Sequence, residues 1–195
     1  MGSHYSGVAV RPALGDLPRR LLPGDVALEQ RSRTTDFAPD GDVIGMGYLG
    51  DPAEWTVLWG DVFLGWDTFE EARAALERLA GEVTEVLHWG VEGTSGAQGF
   101  TLWQDGRRVR TWWEVEGNVK ENEGEPLSFE PPGLYTDESD SSRDEWQIVV
   151  PPVEAVVGPW REVAGLNMVV YDLIKPLPEF EEEVPPRPWW QFWKD

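Results

Sequence analysis

The chain contains no cysteine and only two histidines in 195 residues. Without cysteine there is no disulfide, no thiolate nucleophile and no sulfur-ligated zinc site. His4 and His88 fit neither a His-x-x-x-His nor a His-Glu-x-x-His spacing, so zinc-dependent hydrolysis is not expected. Long apolar runs are also missing. No stretch approaches the roughly 18 residues of a membrane-spanning helix. Residues 1–20 lack a basic start followed by an apolar segment, so no secretory signal is expected, and the cytoplasm is the expected compartment. Basic residues are scarce, 16 Lys and Arg against 36 Asp and Glu, for a formal charge of −20. Such a field repels nucleic-acid phosphates and anionic lipid and attracts basic partners. No cofactor, no nucleic acid and no membrane are expected as ligands.

What is abundant is tryptophan, with 12 residues, alongside 21 glycines and 16 prolines. The chain is 41% hydrophobic and 12% aromatic, enough for one folded domain and too aromatic for a wholly disordered chain. Tryptophan is enriched at binding surfaces, and with the charge it points to an acidic protein that grips a partner. The charge is uneven. Residues 1–50 hold five basic and six acidic residues, a net −1, and the remainder holds eleven against thirty, a net −19.

The pattern along the chain predicts three regions. Residues 1–42, rich in Gly, Pro and Arg, read as an extended arm with a helical turn near Gly24–Gln30. Residues 43–175 read as an α+β domain: an antiparallel sheet of five to seven strands with one principal helix. Residues 176–195 read as an acidic, Pro-rich linker and a Trp-rich tail. Within the domain, Trp55–Trp59 is strand-like, with Trp55, Val57 and Trp59 on one face. Thr68 and Glu71 form a capping box for a helix carrying Phe69, Ala72, Leu76 and Leu79 inward and ending at Gly81. Val83–Val91, Phe100–Gln104, Arg107–Glu116, Val119–Glu123, Trp146–Val150 and Leu166–Ile174 read as strands. Asp105-Gly106 predicts a type I′ hairpin turn, and Gly117-Asn118 a second tight turn.

The first hairpin turn predicts a register in which Leu102 opposes Val109 and Phe100 opposes Thr111. That register would gather Trp103, Arg108, Arg110 and Trp112 on one exposed aromatic–basic face, with Trp103 opposite Arg108. A bulge of one residue would exchange the two faces. Simple pairing beyond the second turn sets Glu121 against Glu114, which is unfavourable unless a cation or a bulge intervenes.

Searches for catalytic chemistry return little. Gly93-Thr94-Ser95-Gly96 is neither a nucleophile elbow nor a phosphate loop and reads as a connector. Asp137–Ser142 lacks the glycine and the glutamate of a calcium loop. His88 reads as a packed or surface residue. Trp189, Trp190, Phe192 and Trp193, behind the acidic linker, read as a docking peptide or as a cover for an apolar patch of the same chain.

The segment from Trp55 to Pro132, about two fifths of the chain, resembles a loose set of small, uncharacterised acidic bacterial domains. The likeness rests on the Trp-bearing strand, the acid-capped helix, the run Leu102-Trp103-Gln104-Asp105-Gly106-Arg107-Arg108-Val109-Arg110, and Glu123-Gly124-Glu125-Pro126-Leu127. The resemblance implies an immunity partner of a secreted toxin or an accessory subunit, and implies no catalytic residue. The expected function is therefore a non-enzymatic acidic protein that docks on a basic protein partner. Its expected contact residues are Trp103, Arg108, Arg110, Trp112, Trp189, Trp190, Phe192 and Trp193. A DNA-mimic inhibitor and a hydrolase working with carboxylates alone are the alternatives.

Overall fold

A computed structural model describes residues 4–22, 28–30, 43–49, 54–60, 70–93, 96–128, 130, 156–157 and 169–173. In chain order the elements are β1 (His4–Arg11), α1 (Leu17–Leu21), β2 (Leu28–Gln30), β3 (Val43–Leu49), β4 (Trp55–Trp59), α2 (Glu70–Ala80), β5 (Glu85–Glu92), β6 (Ala97–Gln104), β7 (Arg107–Val115), β8 (Asn118–Glu123) and β9 (Val169–Leu173). The strands form one sheet in the order β2-β9-β3-β4-β1-β5-β6-β7-β8, antiparallel at every junction.

The fold is thus sheet-rich: seven strands, β3 to β9, lie within 43–175, in line with the five to seven expected there, and β1 and β2 from residues 1–42 bring the sheet to nine. The main correction concerns residues 1–42. They are not an irregular arm throughout, because β1 is the strand that joins β4 to β5. Val8, Ala9 and Val10 are fully buried there, with neighbours on both sides. The strand holds one glycine and a run of only three apolar residues, Val8-Ala9-Val10, too short to signal a central place in a sheet. The helical turn also lies elsewhere: it is Leu17–Leu21, with Pro18 in its first turn, where the missing N–H costs nothing. Residues 28–30, expected to close that turn, are strand.

The helix expected after Thr68 is present as α2. Its N-cap lies outside the described residues. It stops at Gly81, whose N–H donates to the carbonyls of Glu77 and Arg78. Ala75, Leu76, Leu79 and Ala80 point into the core, while Glu77 and Arg78 stay exposed. The helices cover one face of the sheet, where Val8, Val10, Ile44, Met46, Leu58, Val86 and Trp103 pack with Leu17, Leu21, Leu76 and Leu79. Arg20 links α1 outward, donating to Asp16 at 2.9 Å and to Glu82 at 2.6 Å. Its hydrogen bond holds the Asp16 carboxyl below the usual aspartate range, and Asp16 in turn raises Arg20.

The opposite face carries Ala9, Trp55, Val57, Trp59, Leu87, Trp89, Val91, Phe100, Leu102 and Trp112, with Val156, Val157 and Leu127 packed on it. Trp55, Val57 and Trp59 share this face as expected. Three glycines make room for indoles: a Cβ on Gly7 would strike the Trp89 ring, on Gly45 the Trp59 ring, and on Gly99 the Trp113 ring. An aromatic side chain lying across a strand glycine restores packing that the glycine cannot supply. All six described tryptophans (55, 59, 89, 103, 112 and 113) are buried, at 5% exposure or less. In this part of the chain tryptophan builds the core and does not form a binding surface.

Both hairpins show where local reading stops. Asp105 and Gly106 have φ values of 49° and 76°, as a type I′ turn requires, so the first turn is as expected. The second turn is Glu116-Gly117, with φ values of 52° and 75°, one residue earlier than expected. Trp103 pairs with Arg108 as expected, but the next pair is Leu102 with Arg110, leaving Val109 as a one-residue bulge. Phe100 therefore opposes Trp112 and not Thr111. A second irregularity at Lys120 sets Glu121 against Trp113 and Glu114 against Val119, which removes the expected Glu–Glu pair. Among the described residues no helix is long and apolar enough to cross a membrane.

Candidate interaction groove

The bulge at Val109 disperses the expected aromatic–basic face. Trp103 lies beneath the helices and Trp112 lies in the cluster on the opposite face. Arg110 is fully buried on the Trp112 side. Its Nε and Nη2 donate to the two oxygens of Glu130, both at 2.8 Å. Its Nη1 donates to Asn122 Oδ1 at 2.7 Å and to the carbonyls of Glu123 and Gly124. Glu130 also accepts from the Leu127 N–H. Arg110 is thus a clasp that fastens the chain after β8 back onto β7. Its bidentate, charge-assisted geometry is the one in which a buried guanidinium is tolerated.

Arg108 alone of these four remains at the surface. It faces Glu121 and Glu123 of β8, and Glu121 also receives Arg73 of α2 at 3.3 Å. Such partly exposed pairs contribute up to about 1 kcal/mol each and serve mainly to order β8 on the helix side. Trp189, Trp190, Phe192 and Trp193 lie outside the described residues, as do Trp146–Val150 and the acidic loop at Asp137–Ser142.

His88 is fully buried on the helix side, its ring 5.4 Å from that of Trp113, and the Trp113 indole donates to Thr101 at 3.0 Å. Among the described residues no group of three or more His, Asp or Glu is placed to hold a metal. Glu114, Glu121 and Glu123 do not form a cluster: Glu114 lies beside Gln98 on the side opposite Glu121.

Among the described residues an open polar groove lies at one end of the sheet. Register brings Arg11 of β1, Glu85 of β5 and Gln104 of β6 into a single row across three adjacent strands. Arg11 Nη1 donates to Glu85 Oε2 at 3.2 Å, and Gln104 Nε2 donates to Glu85 Oε1 at 2.9 Å. Arg11 Nη2 also lies 3.6 Å from Glu54, and the guanidinium sits 5.9 Å above the Trp55 ring. Beyond this row the strand ends turn, and their backbone is satisfied locally. Thr84 donates its N–H and its hydroxyl to the Arg11 carbonyl, and the Asp105 N–H donates to the Thr84 carbonyl. The result is an open groove of about 600 Å³ lined by Arg11, Pro12, Thr84, Glu85, Gln104 and Asp105.

No family model matches this chain, and neither the curated proteins nor the solved structures include a similar one.

The groove escapes sequence reading because its first member belongs to β1, a strand that the local pattern does not reveal. The only local signal was the Asp105-Gly106 turn, which fixes Gln104 and Asp105 at the end of a hairpin. Within the groove both oxygens of Glu85 accept hydrogen bonds, one from Arg11 and one from the Gln104 amide. The groove can hold polar or cationic groups.

Proposed function

We propose that this chain is a non-enzymatic acidic binding protein that docks on or neutralises a basic protein partner in the cytoplasm, as an immunity protein or an acidic assembly subunit does. Its folded unit is an α+β domain with α2 as the principal helix. The observation that carries the reading is charge. The described residues hold seventeen acidic and nine basic side chains, a net −8, so −12 of the total −20 falls on the remaining residues. Both parts carry the same sign, and an acidic partner or a phosphate backbone would be repelled by either. With the six described tryptophans committed to the core, the aromatic contact is assigned to Trp189, Trp190, Phe192 and Trp193.

The DNA-mimic alternative is less well supported. A mimic needs an uninterrupted carboxylate array, whereas Arg11, Arg73 and Arg108 are interleaved with Glu54, Glu85, Glu121 and Glu123. A carboxylate-only hydrolase gains no support from the groove, where Glu85 is engaged on both oxygens.

The test is co-purification with the full-length chain, followed by association kinetics with the captured partner. The expected partner is basic, and its association rate falls at least tenfold as salt rises from about 20 to 200 mM, because screening acts on encounter. A neutral or acidic partner, or a rate indifferent to salt, overturns the reading.

A further inference from the structure

The geometry points to the strand-end groove as a receptor for a cationic side chain of the basic partner, arginine before lysine. This inference rests on the function proposed above and names where that partner makes a specific contact. The groove is net negative. Glu85 and Asp105 line it with two carboxylates against the one cation of Arg11, and Glu54 stands behind Arg11, 3.6 Å from its guanidinium. A net negative charge in a concavity focuses field more strongly than the same charge on a convex surface.

The protein itself shows how a guanidinium is held there. Arg11 lies over the Trp55 ring with Glu85 on one side and Glu54 on the other. It is a resident competitor for these carboxylates. Its side chain is 47% exposed, so its ion pairs are weak and exchangeable. Asp105, exposed at the mouth, makes no ion pair or side-chain hydrogen bond with any described residue. An incoming guanidinium can pair with Asp105 in its planar, two-pronged mode without displacing anything, and can then share Glu85 with Arg11 and Gln104. The open groove of about 600 Å³ has room for one such side chain.

The experiment uses the full-length chain labelled with ¹⁵N and N-acetyl-arginine amide as the probe. Reporters are the Gln104 side-chain amide and the backbone amides of Thr84 and Asp105. The expected result is a saturable shift confined to these signals, with a millimolar dissociation constant. Asp105→Asn removes the charge and keeps a type I′ turn, since Asn-Gly suits that turn as well as Asp-Gly does. It should weaken binding at least threefold. Arg11→Gln removes the competitor and should strengthen binding at least threefold, and N-acetyl-lysine amide should bind more weakly than the arginine probe. Glu116→Gln, an exposed carboxylate away from the groove, should change nothing. Weaker binding in Arg11→Gln, or equal shifts around Glu116, Glu123 and Glu125, would overturn the inference. If the groove fails while the captured partner still binds in a salt-dependent way, the groove assignment is wrong and the function proposed above stands. If partner association also ignores salt, that function falls as well.

Discussion

Replacing Glu130 by glutamine tests whether the Arg110 clasp holds the fold. The two side chains are 0% and 2% exposed, so nothing dissolves the charge left behind. Three donors converge on the Glu130 carboxylate: Arg110 Nε and the Leu127 N–H on one oxygen, and Arg110 Nη2 on the other. A glutamine in the same place must aim its NH₂ at one of them, whichever way it turns. Removing one partner of a buried pair costs about 3–5 kcal/mol. Arg110 keeps Asn122 and three backbone carbonyls, those of Thr111, Glu123 and Gly124, as acceptors, which places the loss near the lower end, about 3 kcal/mol. With a urea slope of about 2 kcal/mol/M, the midpoint should fall by about 1.5 M. The double variant Arg110→Met, Glu130→Leu removes both charges and leaves only neutral groups without partners. It should therefore be more stable than Glu130→Gln alone. A Glu130→Gln midpoint within about 0.3 M of the wild type would refute the reasoning, because a loss that small belongs to surface ion pairs.

Other perturbations follow from the same geometry. A chain beginning at residue 43 lacks β1 and so loses the strand that joins β4 to β5; it should show no cooperative thermal transition, and a retained sharp transition would mean the sheet closes without it. Gly99→Ala should cost about 2–3 kcal/mol in a denaturant titration, because the added Cβ meets the Trp112 carbonyl, which cannot move aside, as well as the Trp113 ring. Gly117→Ala has open space around it but a φ of 75°, so its cost should be smaller, about 1–2 kcal/mol; equal losses would show that space is not what Gly99 supplies. The Asp16 carboxyl, held low by Arg20, contributes stability that is complete above the ordinary aspartate range and is lost as pH falls through its depressed value. The small stability difference between wild type and Asp16→Asn should therefore vanish in acid and be present at neutral pH, and a difference that grows on acidification would contradict that sign.

Much of the fold from β4 to β8 was readable because its determinants are local. Trp55, Val57 and Trp59 alternate within five residues, and Asp105-Gly106 states its own turn type. The helix ends where Gly81 permits. What failed was non-local. The position of β1 depends on partners about fifty and eighty residues away, and Gly7 looks like a breaker until the Trp89 ring is seen lying across it. A glycine in a short apolar strand whose distant partners are tryptophans is a packing signal that composition alone inverts.

The candidate surface was misread for a related reason. A hairpin turn fixes register only as far as the first bulge, and here the bulge comes at Val109, three residues beyond Gly106. One extra residue sends Trp112 and Arg110 inward and leaves Trp103 under the helices, so of four residues that shared a face on paper two serve separate cores, one is a clasp and only Arg108 stays at the surface. The placement of Arg110 is decided by Glu130, twenty residues later, since a guanidinium at this depth needs a carboxylate that local pattern cannot supply. The polar row that does reach the surface, Arg11, Glu85 and Gln104, is assembled by the same long-range pairing that hid β1. Its net negative concavity agrees in sign with the whole chain. A partner attracted by the general field would thus meet, at this one end of the sheet, carboxylates with fixed positions, which is the step from steering to specific contact.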